Sequence, residues 1–507
     1  MKVCRTLRII LFPLLVWSCL AFTQDASTPA FVPGKWGKVT TPPAPIGHAL
    51  LLTDGSVLAF NANCGTTENW FRLVPDSTGS YVHGTWVNAG TLPAGYDPTY
   101  FASAVLPSGN VIIMGGEYNG CDPNGAWTTL GAMYNVHTNH WSSVAAPAGW
   151  STVGDAQSVV LPNGKFMLAN CCTKDQAIAT VSGATVTWSP TGAGKFDIND
   201  EEGWTLLPGG NVLAVDAYVG SYLAAGKNSE IYNTATGKWS SAGSTKVQLW
   251  DSSATCGGAG SASYELGPAV LRPDGTVLAT GANACGAGNT AIYNTTTGTW
   301  TAGPAFPGIL DIADGPAALL RDGNVLLDAS PGVFNTPSKF FEWDGTTLNA
   351  TTAPSGAALD PSYAGNMLVL PTGQILFTDF SSTVSVYTPT GAACAGCAPV
   401  ITSVAATLTH GSINNGVHGK QLNGLSQGAG YGDDAQAATN YPLVRITDST
   451  GAVVYCRTHT FSTMGVATGS AIVSALFDIP ASIALGPAKL VVVTNGIASV
   501  AKAVTII

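Results

Sequence analysis

The sequence predicts an all-β chain, a seven-bladed β-propeller followed by a small β-sandwich, and three observations carry that prediction. One phrase, an apolar stretch, a turn ending in glycine and a second apolar stretch, recurs seven times. Charged residues make up only 10% of the 507 positions, against 60 glycines, a composition suited to turn-rich β-structure rather than to charged, solvent-facing helices. From Val400 onward the phrase stops and alternating apolar runs take over, as in the strands of a sandwich.

The chain opens with Lys2, Arg5 and Arg8, an apolar run from Ile9 to Leu20, and the small residue Ala21. A basic start, a short apolar stretch and a small exit residue make a secretory signal, with residues 1–21 removed. The run falls short of the roughly 20 apolar residues a membrane span needs, so no span is expected. Ser18-Cys19 offers a second route, a lipid anchor at Cys19 that would hold the protein at the cell surface. The propeller is assigned to residues 22–391. Its seven hairpins turn at Gly55, Gly109, Gly164, Gly210, Gly275, Gly323 and Gly373, about 50 residues apart, the spacing of propeller blades. Asp-Gly and Asn-Gly between β-rich runs mark such turns because glycine supplies the positive φ they require.

A second element follows several hairpins. Tyr134, Tyr232 and Tyr293 stand seven residues before Trp141, Trp239 and Trp300. They predict a third strand, a polar turn and a fourth strand whose tryptophan packs between blades. Trp86 and Trp188 play that part in the first and third blades. The seventh repeat ends at Tyr387 without a tryptophan strand, whereas Trp36 lies in one that has no hairpin before it. The N-terminal strand is therefore expected to complete the last blade. Residues 392–399 form a linker stapled by Cys394 and Cys397, and residues 400–507 the sandwich, with a hairpin turn at Asp448–Gly451.

The repeat resembles kelch repeats, although only Gly115-Gly116 keeps that family's double glycine. An exported kelch propeller followed by an immunoglobulin-like domain of early-set type resembles the galactose oxidase and glyoxal oxidase family. The resemblance implies one copper held by two tyrosines and two histidines, with a cysteine cross-linked to one tyrosine. It also places a Tyr-His pair at the start of the last inner strand. The tyrosine is kept there as Tyr363, but the histidine is Ala364. The second histidine would come from a C-terminal loop at Thr460–Thr468, where Met464 stands instead. Alanine cannot ligate and a thioether suits Cu(II) poorly. The expectation is therefore a protein without radical copper, a binding or scaffold protein rather than an oxidase. The alternative is a copper-radical oxidase of primary alcohols or aldehydes with a changed ligand set, for which His459 is the nearest substitute.

Counting back nine residues from each key glycine reaches the start of each inner strand, where side chains can face the central channel. Those positions are Ile46, Tyr100, Asp155, Glu201, Leu266, Asp314 and Ala364, with Asp200, Glu202 and Glu265 beside them. Three carboxylates at one repeat offset, in a chain so poor in charge, predict an acidic rim. Tyr100 and Tyr363 would add aromatic surface and Met464 a lid from the second domain. The ligand-binding candidates are thus Tyr100, Asp155, Glu201, Glu202, Asp314, Tyr363 and Met464. Asp155, Glu201 and Asp314 could hold calcium, which wants several oxygen ligands. Otherwise the rim binds an extracellular glycan or protein ligand, or its carboxylates merely cap strand ends. Two carboxylates could also work as the acid and base of a glycosidase.

Net charge −10 and the lack of a basic patch exclude nucleic acid as a partner. Of 11 cysteines, Cys4 and Cys19 lie in the signal, leaving nine, an odd number. None of the zinc spacings fits, so disulfides suit an exported chain better. The expected pairs are Cys256–Cys285, Cys394–Cys397 and, between the first two blades, Cys64–Cys121.

Overall fold

The computed structural model describes residues 31–63, 65–66, 68–120, 125–218, 226–251, 263–282 and 287–507. The signal segment, Cys19 and the expected partners Cys64, Cys121, Cys256 and Cys285 lie outside the described residues. Pro33–Ile507 forms one compact unit. Among the described residues, apart from short 3-10 turns such as Ser362–Ala364, the regular elements are β-strands. No helix among the described residues is long and apolar enough to cross a membrane.

Seven sheets account for residues 35–388. Each contains four antiparallel strands, beginning with Ile46–Leu51, Ala102–Val105, Ser158–Val160, Trp204–Leu206, Ala269–Leu271, Ala317–Leu319 and Asn366–Val369. These first strands are almost wholly buried, and each lies against the first strands of its two neighbours in a closed cyclic order. The result is a β-propeller-like ring with an apolar wall around a central channel.

The seven hairpins share one geometry. At the first, Gly55 N–H donates to Leu52 O (3.0 Å) and Leu52 N–H to Ser56 O (2.7 Å), and the same pair of bonds recurs in each later sheet. The key glycine has a positive φ at all seven positions, between 77° and 92°, and in the fourth hairpin Gly209 before it is positive too (84°). The other six are type I turns closed by a glycine bulge, not two-residue turns with positive φ at both central residues.

The Tyr-x6-Trp spacing turns out to be a cross-strand pair, with Tyr134, Tyr232 and Tyr293 facing Trp141, Trp239 and Trp300. Each indole N–H then reaches the preceding sheet. Trp141 donates to Ala89 O (3.0 Å), Trp239 to Gln176 Oε1 (2.7 Å) and Trp300 to Ser229 Oγ (2.8 Å). Lys35–Lys38 pairs with Ser385–Thr388 and sets Trp36 opposite Tyr387, rebuilding the same pair from the two ends of the ring. The Trp36 indole donates to Thr352 O (2.7 Å) of the sixth sheet.

After the Cys394–Cys397 disulfide, residues 400–506 build two further sheets. Ile401, Val417, Phe477, Val444, Leu490 and Val492 fill the space between them. Cys456 is a buried free thiol in that core.

Two segments leave this region for the ring. Residues 427–441 run through the channel and bond inner strands of four sheets. Gln427 Oε1 accepts from Leu206 N–H (2.7 Å), and Ala429–Gly430 pairs with Ala317 and Ala318. Ser103 Oγ donates to Gln436 O (3.1 Å) and Tyr441 Oη to Leu51 O. Residues 458–466 lie instead along the hairpins, where Thr458, Thr460 and Met464 donate their N–H groups to Thr53 O, Pro107 O and Pro162 O at 2.7–3.0 Å.

Candidate acidic mouth

Each inner strand runs from the channel mouth toward its hairpin, so the residues nine before the key glycines stand together at the mouth. Tyr100, Glu201 and Asp314, three of those seven, have φ of 50°, 56° and 48°. Left-handed backbone at a branched or bulky side chain costs about 1–3 kcal/mol and persists only where the surroundings impose it. At Asp314 the backbone is held by a bond from its N–H to Leu266 O (2.7 Å), and Tyr100 O accepts from Glu117 N–H (2.8 Å).

The channel segment completes the mouth. Gly432 passes so close to Leu266 O and the Asp314 carboxylate that a Cβ there would overlap both, and a Cβ on Gly203 would stand 2.5 Å from Gly432 O. These two glycines let Tyr431, Asp433 and Asp434 reach the strand starts. A cavity of 190 Å³ results, lined by Tyr100, Glu117, Tyr118, Asp155, Glu265, Asp314, Phe334, Tyr363, Asp433 and Asp434.

Its lining is of two kinds. One is aromatic, with Tyr100 edge-on to Tyr118 (6.4 Å between centroids) and Phe334 edge-on to Tyr363 (5.7 Å). The other is acidic and falls into two trios, Asp155 with Asp433 and Asp434, and Glu201 with Glu265 and Asp314. Within each trio one oxygen per residue lies within 4.8 Å of the other two. Burial, and then repulsion from the neighbouring carboxylates, holds Asp155, Glu265, Asp314 and Asp434 well above the ordinary carboxylate range. Burial likewise pushes Asp433 up to about 7. Asp433 Oδ1 accepts from Asp434 N–H (2.7 Å) and Asp434 Oδ1 from Ala435 N–H (2.5 Å), while the second oxygen of each has no hydrogen-bond partner. No lysine or arginine is among the residues lining the cavity.

Of the seven residues singled out from sequence, Tyr100, Asp155, Glu201, Asp314 and Tyr363 come together here. The calcium trio expected at Asp155, Glu201 and Asp314 is divided, because the channel segment takes Asp155 into a different cluster from the other two. Glu202 is elsewhere. It is buried just ahead of the strand Trp204–Leu206, 2.9 Å from Lys195 Nζ.

Met464 is not a lid over this mouth. Its loop follows the hairpins at the other end of the inner strands, and its side chain is buried beside Ala104, Val105 and Val159. His459, in the same loop, is bonded to Asp478 Oδ1 (3.2 Å) and Thr460 Oγ1 (2.9 Å). His48 is buried inside the ring between Asn366 Oδ1 (3.2 Å) and Ser103 Oγ (2.9 Å), and burial lowers its pKa to about 4.

Sequence reasoning missed Glu117, Tyr118, Tyr431, Asp433 and Asp434. The signal for the last two was present, an Asp-Asp pair after Gly430-Tyr431-Gly432 in a chain nearly devoid of charge. Glu117 and Tyr118 directly follow Gly115-Gly116, at the end of a second strand that returns to the same mouth.

Neither a family model nor a curated protein matches the sequence. Among solved structures, the fold resembles a fungal alcohol oxidase of the AA5 family in complex with copper, at 13% identity and a TM-score of 0.50. That match covers 93% of this chain and 99% of the other. The extracellular domain of a putative one-component system from B. thetaiotaomicron gives a TM-score of 0.47 at 10% identity, covering 76% of this chain and 46% of that one. A streptogramin B lyase gives 0.45 at 10% identity, covering 70% and 97%. At such identities the likeness concerns the fold alone.

Proposed function

We propose that this chain is an exported, galactose-oxidase-like seven-bladed propeller with an early-set immunoglobulin-like C-terminal domain, and that it is a binding protein whose ligand is an extracellular glycan. One observation carries the reading. The mouth cavity is lined by both aromatic rings and carboxylates, and sugars use both kinds of surface. Their apolar faces stack on tyrosine and phenylalanine, while their hydroxyls donate to carboxylates. Tyr100 and Tyr363 supply the stacking surface, and Asp155, Asp314, Glu265 and the Asp433-Asp434 pair the acceptors.

A radical copper centre of the usual kind does not fit these residues. The cavity offers phenols and carboxylates but no imidazole, and the nearest sequence substitute, His459, is engaged with Asp478 near the hairpin end of the ring. Cu(II) in such sites draws on nitrogen donors that the mouth lacks.

The test is retention on immobilised neutral and acidic polysaccharides, together with a peroxide assay on galactose and glyoxal. The expected result is retention on at least one glycan, weakened tenfold or more in Tyr100→Ala, with no peroxide released. Peroxide at turnover rates after copper loading would favour the oxidase instead. No retention on any polysaccharide would remove the glycan reading.

A further inference from the structure

Six carboxylates line the mouth cavity and a seventh, Glu201, adjoins it, yet no cationic side chain among the described residues lines it. Burying unpaired charge of one sign is costly, so such a site takes up either protons or an external cation. Two features favour a cation.

The first is the spacing of the oxygens. Two oxygens on one calcium ion at 2.3–2.6 Å are at most about 5 Å apart, so three within 4.8 Å can share an ion. The mouth presents that arrangement twice, in trios with no member in common. The second is the state of Asp433 and Asp434, which are only 2% and 1% exposed. Each fixes its Oδ1 on a backbone N–H and leaves Oδ2 without a hydrogen-bond partner beside the cavity. Asp155 Oδ1, Glu265 Oε2 and Asp314 Oδ1 are likewise buried without a partner. A shared proton can link two such acids, as between Glu201 and Glu265, but an ion serves all three oxygens of a trio at once.

We propose that the mouth holds two hard divalent cations of the calcium class, one bound by Asp155, Asp433 and Asp434 and the other by Glu201, Glu265 and Asp314. In this reading the hydroxyls of the glycan complete their coordination. All-oxygen donors select calcium or magnesium over zinc or copper. The number of carboxylates favours calcium, because magnesium keeps several of its waters and takes one or two carboxylates. The glycan part rests on the function proposed above, but the cation part does not.

The experiment is calcium uptake by the full chain after chelation, followed by equilibrium dialysis with elemental analysis, and glycan retention with and without EDTA. Two equivalents are expected. Asp433→Asn with Asp434→Asn should retain one, Glu201→Gln with Glu265→Gln should retain the other, and the control Asp76→Asn, in a turn outside the mouth, should retain both. Circular dichroism establishes that each variant is folded. No uptake at millimolar free calcium by folded protein, one equivalent in the parent, or two equivalents surviving in both double variants would overturn the paired site. Calcium uptake without glycan retention overturns only the glycan reading. Retention indifferent to EDTA, with no uptake, overturns only the cation reading.

Discussion

Glu201 and Glu202 are neighbours in sequence, yet they belong to two buried acidic clusters of opposite construction. Around Glu202 the chain supplies its own cation. Lys195 Nζ lies 2.9 Å from Glu202 Oε1, 2.6 Å from Glu230 Oε2 and 4.0 Å from Asp216 Oδ1, with its ammonium over the Trp239 ring. Burial alone would lower the lysine, but Glu202, Asp216 and Glu230 hold it above its ordinary value. One ammonium does not balance three carboxylates, and burial pushes Asp216 up to about 8, so it keeps its proton at neutral pH. Glu230 is further bound by the Phe196 N–H (2.8 Å). Glu202 Oε2 and both Asp216 oxygens are also buried without a hydrogen-bond partner, but here the lysine ammonium occupies the place an external cation would take. Around Glu201 the carboxylates are more numerous, no lysine enters, and the space between them opens into a cavity. Buried acid alone is therefore a poor sign of function. Buried acid without an internal cation, at the edge of a cavity, is a much better one.

The largest effect that could break this comparison belongs to the lysine. Lys195→Met should destabilise the fold by about 3–5 kcal/mol, since it strands buried carboxylates without a partner. Urea midpoints with and without calcium measure it, and calcium should not restore the loss. Rescue by calcium would mean that the two clusters are not distinct.

His48 solves the burial problem in a third way, by staying neutral. Its folded pKa of about 4 lies below the usual 6.5, so the unfolded chain binds a proton in that interval and the folded chain does not. Its contribution is therefore complete above pH 6.5 and is lost as pH falls toward 4. The full loss is about 3 kcal/mol by linkage. The parent's unfolding midpoint minus that of His48→Gln, followed from pH 7 to 4, should fall by that amount. A constant difference would refute the assignment.

Smaller, and opposite in sign to the lysine variant, is the response of the mouth. Asp433→Asn should raise the stability of the chelated protein by about 1 kcal/mol, because it removes one of several repelling charges while keeping the Oδ1 contact. In the other cluster Glu202→Gln should lower stability. Thermal unfolding under EDTA decides, and equal signs would erase the distinction. The smallest effect is expected at Asp76, a half-buried turn residue whose Oδ1 accepts from Thr78 and Ser80, where Asn keeps that acceptor and should change stability by less than about 0.5 kcal/mol.

Much of the ring was legible because its signals are local. A glycine at each turn, a tyrosine seven residues before a tryptophan and a tryptophan strand without a hairpin each translate directly into a bond or a cross-strand pair. The repeat offset brought Tyr100, Asp155, Glu201 and Asp314 to one mouth because inner strands of similar length start at the same level. It failed at Glu202, which pairs with Lys195 in a separate buried cluster, and at Met464, whose loop follows the hairpins rather than the mouth.

By itself the sequence determined the all-β character, the sevenfold repeat and an acidic mouth, since each rests on residues close along the chain or equivalent in every repeat. Only the tertiary structure decided which acids share a cluster. It threaded residues 427–441 through the channel and so set Asp433 and Asp434 beside Asp155 of the third repeat, while Glu202 went to Lys195 in another cluster. Charges interact through space over a few ångströms, and no repeat or spacing records which distant segment comes that close.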